Sequence, residues 1–67
     1  MQLMLTTRGT YLHVKDDCFE VKLPDDKVRI SPRKVASMVV GTAVTLSTNA
    51  LKLANEHNID IVMLDEY

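Results

Sequence analysis

The sequence predicts an α+β fold that is mainly β, an antiparallel β-sandwich-like domain of about seven short strands with one α-helix at about residues 48–57. Residues 2–31 alternate apolar and polar side chains with a period of two, which is typical of half-buried strands. Residues 47–65 instead indicate one amphipathic helix followed by a strand that is apolar on both faces. Together these two patterns predict sheets packed face to face with a single helix.

Length and composition predict one domain, residues 1–67. A chain this short buries a small share of its surface and is marginally stable. Its net charge of −1 gives no overall attraction to nucleic acid, so a basic site must be local. The single cysteine, Cys18, has no internal disulfide partner, which indicates a reducing, cytoplasmic setting. No apolar stretch is long enough to span a bilayer, so no membrane contact is expected.

The alternation also predicts the register of the first four strands, because a slip of one residue would turn every apolar side chain towards water. The predicted pairs are Leu5 with Leu12 across a turn at residues 8–9, Leu12 with Val21 and His13 with Glu20 across a turn at 16–17, and Leu23 with Val28 across a loop at 24–27. These pairs make an antiparallel meander with one apolar face, from which Glu20 points away.

The second half contains its own start and stop signals. Ser31 and Pro32 predict the cap and first position of a short helical turn, and strands follow at residues 35–40 and around 44–46. Ser47 or Thr48 caps the helix, whose apolar stripe includes Leu51 and His57. Asn58 suits the left-handed residue that ends a helix, and residues 59–64 are predicted as a central strand.

The acidic and histidine residues near the end of the chain do not form a predicted catalytic or metal site. They are Glu56, His57, Asp60, Asp65 and Glu66. On a strand, residues 60 and 65 point to opposite faces. No spacing of His and Cys fits zinc, and no Gly-rich loop fits a phosphate. We therefore assign no catalytic residue and no metal ligand.

A basic face is the more informative cluster. The predicted register places Tyr11, Lys22 and Arg29 in one row on the outer face of the meander. Lysine and arginine beside an aromatic ring can follow a phosphate backbone. The alternative is a solvated strand face whose charges protect the edge of the sheet. The candidate DNA-binding residues are Tyr11, Lys15, Lys22, Arg29, Arg33 and Lys34.

Three stretches together resemble a known family. They are MQLMLTTRGTYLHVKDDCFEVKL, the turn ISPRKV, and the run VTLSTNALKLANEHNIDIVMLDEY. Their order and spacing are similar to the N-terminal β-rich domain of the universal CRISPR-associated integrase, the nuclease of the spacer-acquisition module. The resemblance covers essentially the whole chain.

The resemblance implies more than these residues show by themselves. In that family the β domain precedes a helical domain whose Glu, His and acidic ligands bind manganese or magnesium for DNA cleavage and strand transfer. The helical domain is absent from residues 1–67, so this chain alone is expected not to be an enzyme. The family forms a homodimer through the β domain, assembles around a small ferredoxin-like CRISPR-associated partner and holds double-stranded DNA.

The sequence therefore predicts a dimerisation and DNA-scaffold domain of a CRISPR adaptation integrase, itself a metal-dependent DNA endonuclease. Two alternatives stay open. One is a free-standing small β-rich DNA-binding dimer of the antitoxin or regulator type, which would bind a palindromic duplex by itself. The other is a folding unit whose surface only dimerises.

Overall fold

A computed structural model describes residues 1–65 and shows two sheets and one helix. In chain order the elements are β1 Gln2–Leu5, β2 Tyr11–Lys15, β3 Cys18–Lys22, β4 Lys27–Ile30, a 3-10 turn at Pro32–Lys34, β5 Ser37–Gly41, β6 Thr45–Leu46, α1 Thr48–Glu56 and β7 Asp60–Leu64. One sheet has the order β1-β5-β7 and the other β4-β3-β2-β6. The predicted α+β, mainly β class with seven strands and one helix is confirmed.

The hairpin between β2 and β3 has the predicted register. Leu12 pairs with Val21 and His13 with Glu20, in antiparallel strands. The turn residues Asp16 and Asp17 both have positive φ, 52° and 61°. A two-residue hairpin turn of type I′ needs positive φ at both positions, and aspartate tolerates it because its short polar side chain can hydrogen-bond locally.

The predicted pairing of Leu5 with Leu12 is wrong. Strand β1 instead pairs in parallel with β5, which sets Leu5 beside Val40. Thr10 is buried, and its hydroxyl and its backbone N–H both donate to the Thr7 carbonyl, at 2.6 and 3.2 Å. Held this way, residues 6–10 carry the chain from one sheet to the other instead of folding it back. The β1-β5-β7 sheet is parallel throughout, so the antiparallel prediction holds only for β2, β3 and β4.

The predicted pairing of Leu23 with Val28 is also wrong, by a shift of two residues. Val21 lies opposite Val28, and Lys22 lies opposite Lys27. The Leu23 N–H donates to the Asp26 carbonyl at 2.7 Å. The loop therefore consists of residues 23–26, whereas the predicted loop is 24–27. A shift of two leaves every side chain on its predicted face but changes its cross-strand partner.

Strand β7 is an edge strand, whereas the sequence predicted a central one. Strand β5 occupies the centre, and its Met38 and Val40 are fully buried. On β7, Val62 is 53% exposed and Leu64 is 41% exposed. The strand is therefore apolar on both faces, as predicted, but within residues 1–65 it has neither a neighbour on one edge nor full cover.

The helix has the predicted ends and a narrower buried stripe. The Ser47 hydroxyl accepts a hydrogen bond from the Ala50 N–H at 3.1 Å. Asn58 has φ 54°, and the Ile59 N–H donates back to the Ala54 carbonyl at 2.9 Å, which completes a left-handed C-terminal cap. Leu51 and His57 are exposed, contrary to the prediction. The stripe that packs on the sheets consists of Ala50, Leu53 and Ala54.

The core lies between the two sheets and under α1. Its largest fully buried side chains include Phe19, Leu12, Met38 and Val40. Val28 faces the same side but is 43% exposed, because it lines an open cleft between β1 and β4 with Leu3. The Ser31 cap and the first-turn Pro32 of the 3-10 turn are confirmed. Among residues 1–65, no helix is long and apolar enough to cross a membrane.

Candidate nucleic-acid interface

The face of the β4-β3-β2-β6 sheet that points away from the core, here called the outer face, carries most of the candidate residues. Successive side chains of a strand point to opposite faces, and Leu12, Phe19 and Val21 are buried in the core. The residues next to them in sequence therefore lie on the outer face. Its residues are Tyr11, His13, Lys15, Cys18, Glu20, Lys22, Lys27, Arg29 and Thr45. The outer face is therefore rich in positive charge, with Glu20 as its one carboxylate within the strands that the structure describes.

Two cross-strand rows organise this face. The first, here called the lysine row, runs from Thr45 through Tyr11 and Lys22 to Lys27. The second runs from His13 through Glu20 to Arg29. The predicted row of Tyr11, Lys22 and Arg29 is thus wrong in its third member, because the register shift puts Lys27 where Arg29 was expected.

Glu20 is buried at the centre of the second row, with only 4% of its surface exposed, although the sequence predicted that it points to solvent. His13 Nε2 donates to Glu20 Oε1 at 2.8 Å. The Arg29 guanidinium lies 3.7 Å from Glu20 Oε2 and 3.5 Å from Asp16 Oδ2. Arg29 is therefore shared between two carboxylates and is a weaker candidate for a phosphate contact than the sequence suggested.

The electrostatics of Glu20 favour its charged form. Burial raises the pKa of the Glu20 carboxyl, but the hydrogen bond from His13 and the positive charges of His13, Lys27 and Lys15 act the other way. Their combined effect outweighs burial, so the pKa lies below its ordinary value. The row thus holds a buried, ionised carboxylate under basic side chains.

Tyr11 and His13 form a stacked pair on β2. Their ring centroids are 5.1 Å apart and the ring planes differ by 6°. Stacking restricts the Tyr11 ring, which stays 37% exposed beside Lys22. The pair provides a rigid aromatic surface next to the lysine row.

The other candidates are less closely grouped. Lys15 is exposed at the end of β2, opposite Cys18. Arg33 and Lys34 are exposed on the 3-10 turn that links the two sheets, where the Lys34 carbonyl accepts a hydrogen bond from the Met1 amino group at 2.8 Å. The structure brings Tyr11 and Lys22 together, as predicted, and leaves Arg33 and Lys34 outside both rows. Their role in DNA binding stays a prediction.

Lys27 is the residue that sequence reasoning missed. Its position two residues before Arg29 already placed it on the same face of β4, because alternate residues of a strand share a face. The predicted loop extends to residue 27 rather than to residue 26, and it therefore leaves Lys27 out of β4. The correct loop closure makes Lys27 the first residue of the strand.

The acidic and histidine residues that the structure describes near the end of the chain lie apart from the outer face. Within residues 1–65, no group of three or more His, Cys, Asp or Glu side chains is placed to hold a metal ion. His57 and Asp60 are both exposed. Glu66 lies outside the described residues.

Comparisons with known proteins agree with one another. The family model for "CRISPR associated protein Cas1" matches residues 3–67. A curated relative, CRISPR-associated endonuclease Cas1 2 of Saccharolobus solfataricus, is 35% identical over 63 residues, which is 94% of this chain and 20% of the relative.

Solved structures show the same fold. A crystal structure of a TtCas1-DNA complex superposes with a TM-score of 0.88 at 9% identity, over 100% of this chain and 23% of the other. A partial Cas6-RT-Cas1–Cas2 complex superposes with a TM-score of 0.87 at 20% identity, over 97% of this chain and 20% of the other. The chain thus spans about a fifth of the length of the curated relative and of these structures.

Proposed function

The chain belongs to the CRISPR-associated Cas1 family, and we propose from that premise that it is the dimerisation and DNA-scaffold domain of a CRISPR adaptation integrase. The observation that carries the DNA-scaffold part is the outer face. Lys15, Lys22 and Lys27 are exposed there, and within residues 1–65 none of them forms an ion pair. Free ammonium groups on a rigid sheet suit contact with a phosphate backbone.

The ligand is double-stranded DNA, and the partner is a small ferredoxin-like CRISPR-associated protein. One similar solved structure is a complex of Cas1 with DNA, and another contains Cas1 together with Cas2. We carry both partners over to this chain as part of the proposal. A cytoplasmic location, with no membrane contact, belongs to it as well.

The chemistry of cleavage and strand transfer belongs to the longer parent protein. The named relative is an endonuclease, and this chain spans 20% of it. The parent is proposed to be a manganese- or magnesium-dependent DNA endonuclease and integrase that inserts new spacers. This chain is proposed to position DNA without itself acting as an enzyme, and the metal-dependent step is proposed for the remaining part of the parent.

The dimer part of the proposal is supported by the outward face of the β1-β5-β7 sheet. Met4, Val39 and Val62 lie side by side across its three strands, and Met4 is 61% exposed while Val62 is 53% exposed. Parallel sheets are ordinarily covered on both faces. A second copy of the chain that buries this apolar row would supply the missing cover and make a two-fold contact.

Binding of a DNA duplex by the full-length gene product tests the scaffold role. Replacing Lys15 and Lys22 together with glutamate should weaken binding and flatten its salt dependence, because two cations become anions on the contact face. Lys52→Glu on the exposed side of α1 is the control, and it should change binding much less. Equal effects of the control and the double substitution would show that the outer face is only solvated.

An experiment on the isolated 67-residue chain distinguishes the proposed function from the alternative, a free-standing DNA-binding dimer. Tight, two-fold-symmetric binding of a palindromic duplex by this chain alone would favour the regulator function. Under the proposed function, sequence-specific binding of that kind is not expected, because the contacts of the outer face go to phosphates.

A further inference from the structure

Lys22 and Lys27 lie directly opposite each other at the loop end of the β3–β4 hairpin. Both side chains are exposed on the outer face. The Cα atoms of directly opposed residues in antiparallel strands are about 5 Å apart, so the two ammonium groups can reach a common point above the sheet.

This arrangement is unfavourable without a ligand, because like charges that face each other across two strands repel. The nearby carboxylates relieve it only in part: the charge of Glu20 attracts Lys27, but neither lysine forms an ion pair with Glu20. Glu20 is occupied by His13 and Arg29, and the Asp26 carboxylate accepts a hydrogen bond from the Lys27 backbone N–H at 2.7 Å. Among residues 1–65, no carboxylate lies within ion-pair distance of either ammonium group.

We propose that Lys22 and Lys27 together bind one phosphate group of a DNA duplex, which lies between the two ammonium groups. The inference rests on the proposed DNA-scaffold function and identifies one contact within it. A DNA phosphate has two unesterified acceptor oxygens and one negative charge, so it can accept a hydrogen bond from each lysine and offset their repulsion. The half-exposed Tyr11 ring flanks Lys22 on the β2 side and limits the phosphate to the gap between β3 and β4.

Arg29 is not part of this contact. Its guanidinium lies between Asp16 and Glu20, at 3.5 and 3.7 Å. Moving it to a phosphate would leave the buried Glu20 with one partner fewer. Lys27 therefore takes the position in the lysine row that a sequence-based register gives to Arg29.

The test is a salt titration of duplex binding by the full-length gene product, with a short mixed-sequence duplex as the probe. The variants are Lys22→Gln, Lys27→Gln and the double variant, and Lys52→Gln is the matched control. Each phosphate contact contributes a slope of about −0.9 to log K against log salt concentration. A shared phosphate predicts that the double variant lowers the slope magnitude by about 0.9, whereas two separate phosphates would lower it by about 1.8.

A second measurement shows whether the variants are folded and repulsion is present. Without DNA, Lys22→Gln should raise the thermal midpoint of the protein slightly, because it removes one of two facing charges and Lys22, unlike Lys27, is not among the charges that lower the pKa of Glu20. An unchanged slope in the double variant, or a fall near that expected for two phosphates, overturns the shared contact.

The same titration distinguishes a failure of the shared phosphate contact from a failure of the proposed DNA-scaffold function. If the unsubstituted protein does not bind the duplex at all, the DNA-scaffold function itself is wrong. If it binds and Lys15→Gln weakens binding, but the double variant keeps the full slope, the scaffold function stands and this contact is refuted.

Discussion

His13 and Glu20 face each other across the β2–β3 hairpin, with His13 Nε2 2.8 Å from Glu20 Oε1. The tight turn at Asp16 and Asp17 sets this pairing. Glu20 is buried, and its carboxyl contacts both His13 and Arg29. The stability of the sheet and the charge of the outer face therefore both depend on this one residue.

Replacement of Glu20 should change how stability depends on pH. The folded-state pKa of Glu20 lies below its ordinary value of 4.5. The ionised group therefore contributes stability that is fully present above pH 4.5 and is lost as the pH falls through the folded-state pKa. Glu20→Gln should destabilise the chain at neutral pH, and the difference should narrow in acid.

Urea unfolding at a series of pH values measures this effect. The charged groups that face Glu20 are His13, Lys15, Lys27 and Arg29. Asp25→Asn, in the exposed loop between β3 and β4, is the control for removal of a carboxylate. A difference between Glu20→Gln and the unsubstituted chain that stays constant across acid pH would contradict the prediction.

The β2–β3 turn should tolerate glycine better than any other residue at position 17. Asp17 has φ 61°, where a non-glycine residue costs about 1–2 kcal/mol. Asp17→Gly should therefore raise the free energy of unfolding by about 0.5–1 kcal/mol. Asp17→Val should lower it, since a β-branched residue is disfavoured at positive φ. Thermal unfolding compares the two, and equal midpoints would show that the turn is not strained.

Phe19 should dominate the stability of the core. It is the largest fully buried side chain, and truncation of such a residue costs about 3–5 kcal/mol. Small domains have little stability to lose, so Phe19→Ala should be largely unfolded at room temperature by circular dichroism. Val28→Ala on the same side of the sheet should cost less than about 1 kcal/mol, because Val28 is 43% exposed. Similar losses would mean that the β1–β4 cleft is closed in solution.

The apolar row on the β1-β5-β7 sheet should control self-association. Val62→Lys places a charge at the β7 end of the proposed contact, where its desolvation opposes burial. Sedimentation of the full-length gene product should then shift from dimer towards monomer. Leu51→Lys, at an apolar position on α1 that is 44% exposed, should leave the dimer intact. A dimer that survives Val62→Lys would place the contact elsewhere.

The sequence by itself determined the features that depend on neighbouring residues. The aspartate pair at 16–17 and the alternation beside it specify the β2–β3 register, because a tight turn leaves no freedom in which residues meet. Ser47 and Asn58 mark the helix for the same reason, since each satisfies backbone groups within one turn. The contact of Tyr11 with Lys22 follows from that hairpin.

Only the tertiary structure decided which strands are neighbours. The alternation of apolar and polar residues indicates which face of a strand is buried. It does not indicate which strand is the neighbour, because every strand offers the same backbone donors and acceptors. For that reason the sequence predicts Leu5 beside Leu12 although it lies beside Val40, and predicts β7 at the centre of a sheet although it lies at the edge. The two-residue shift of β4 kept every face correct and still replaced Arg29 by Lys27 beside Lys22. The residues of the candidate phosphate site depend on that shift. Two lysines can share one phosphate only if they are cross-strand neighbours, and lying on the same face of the sheet is not enough.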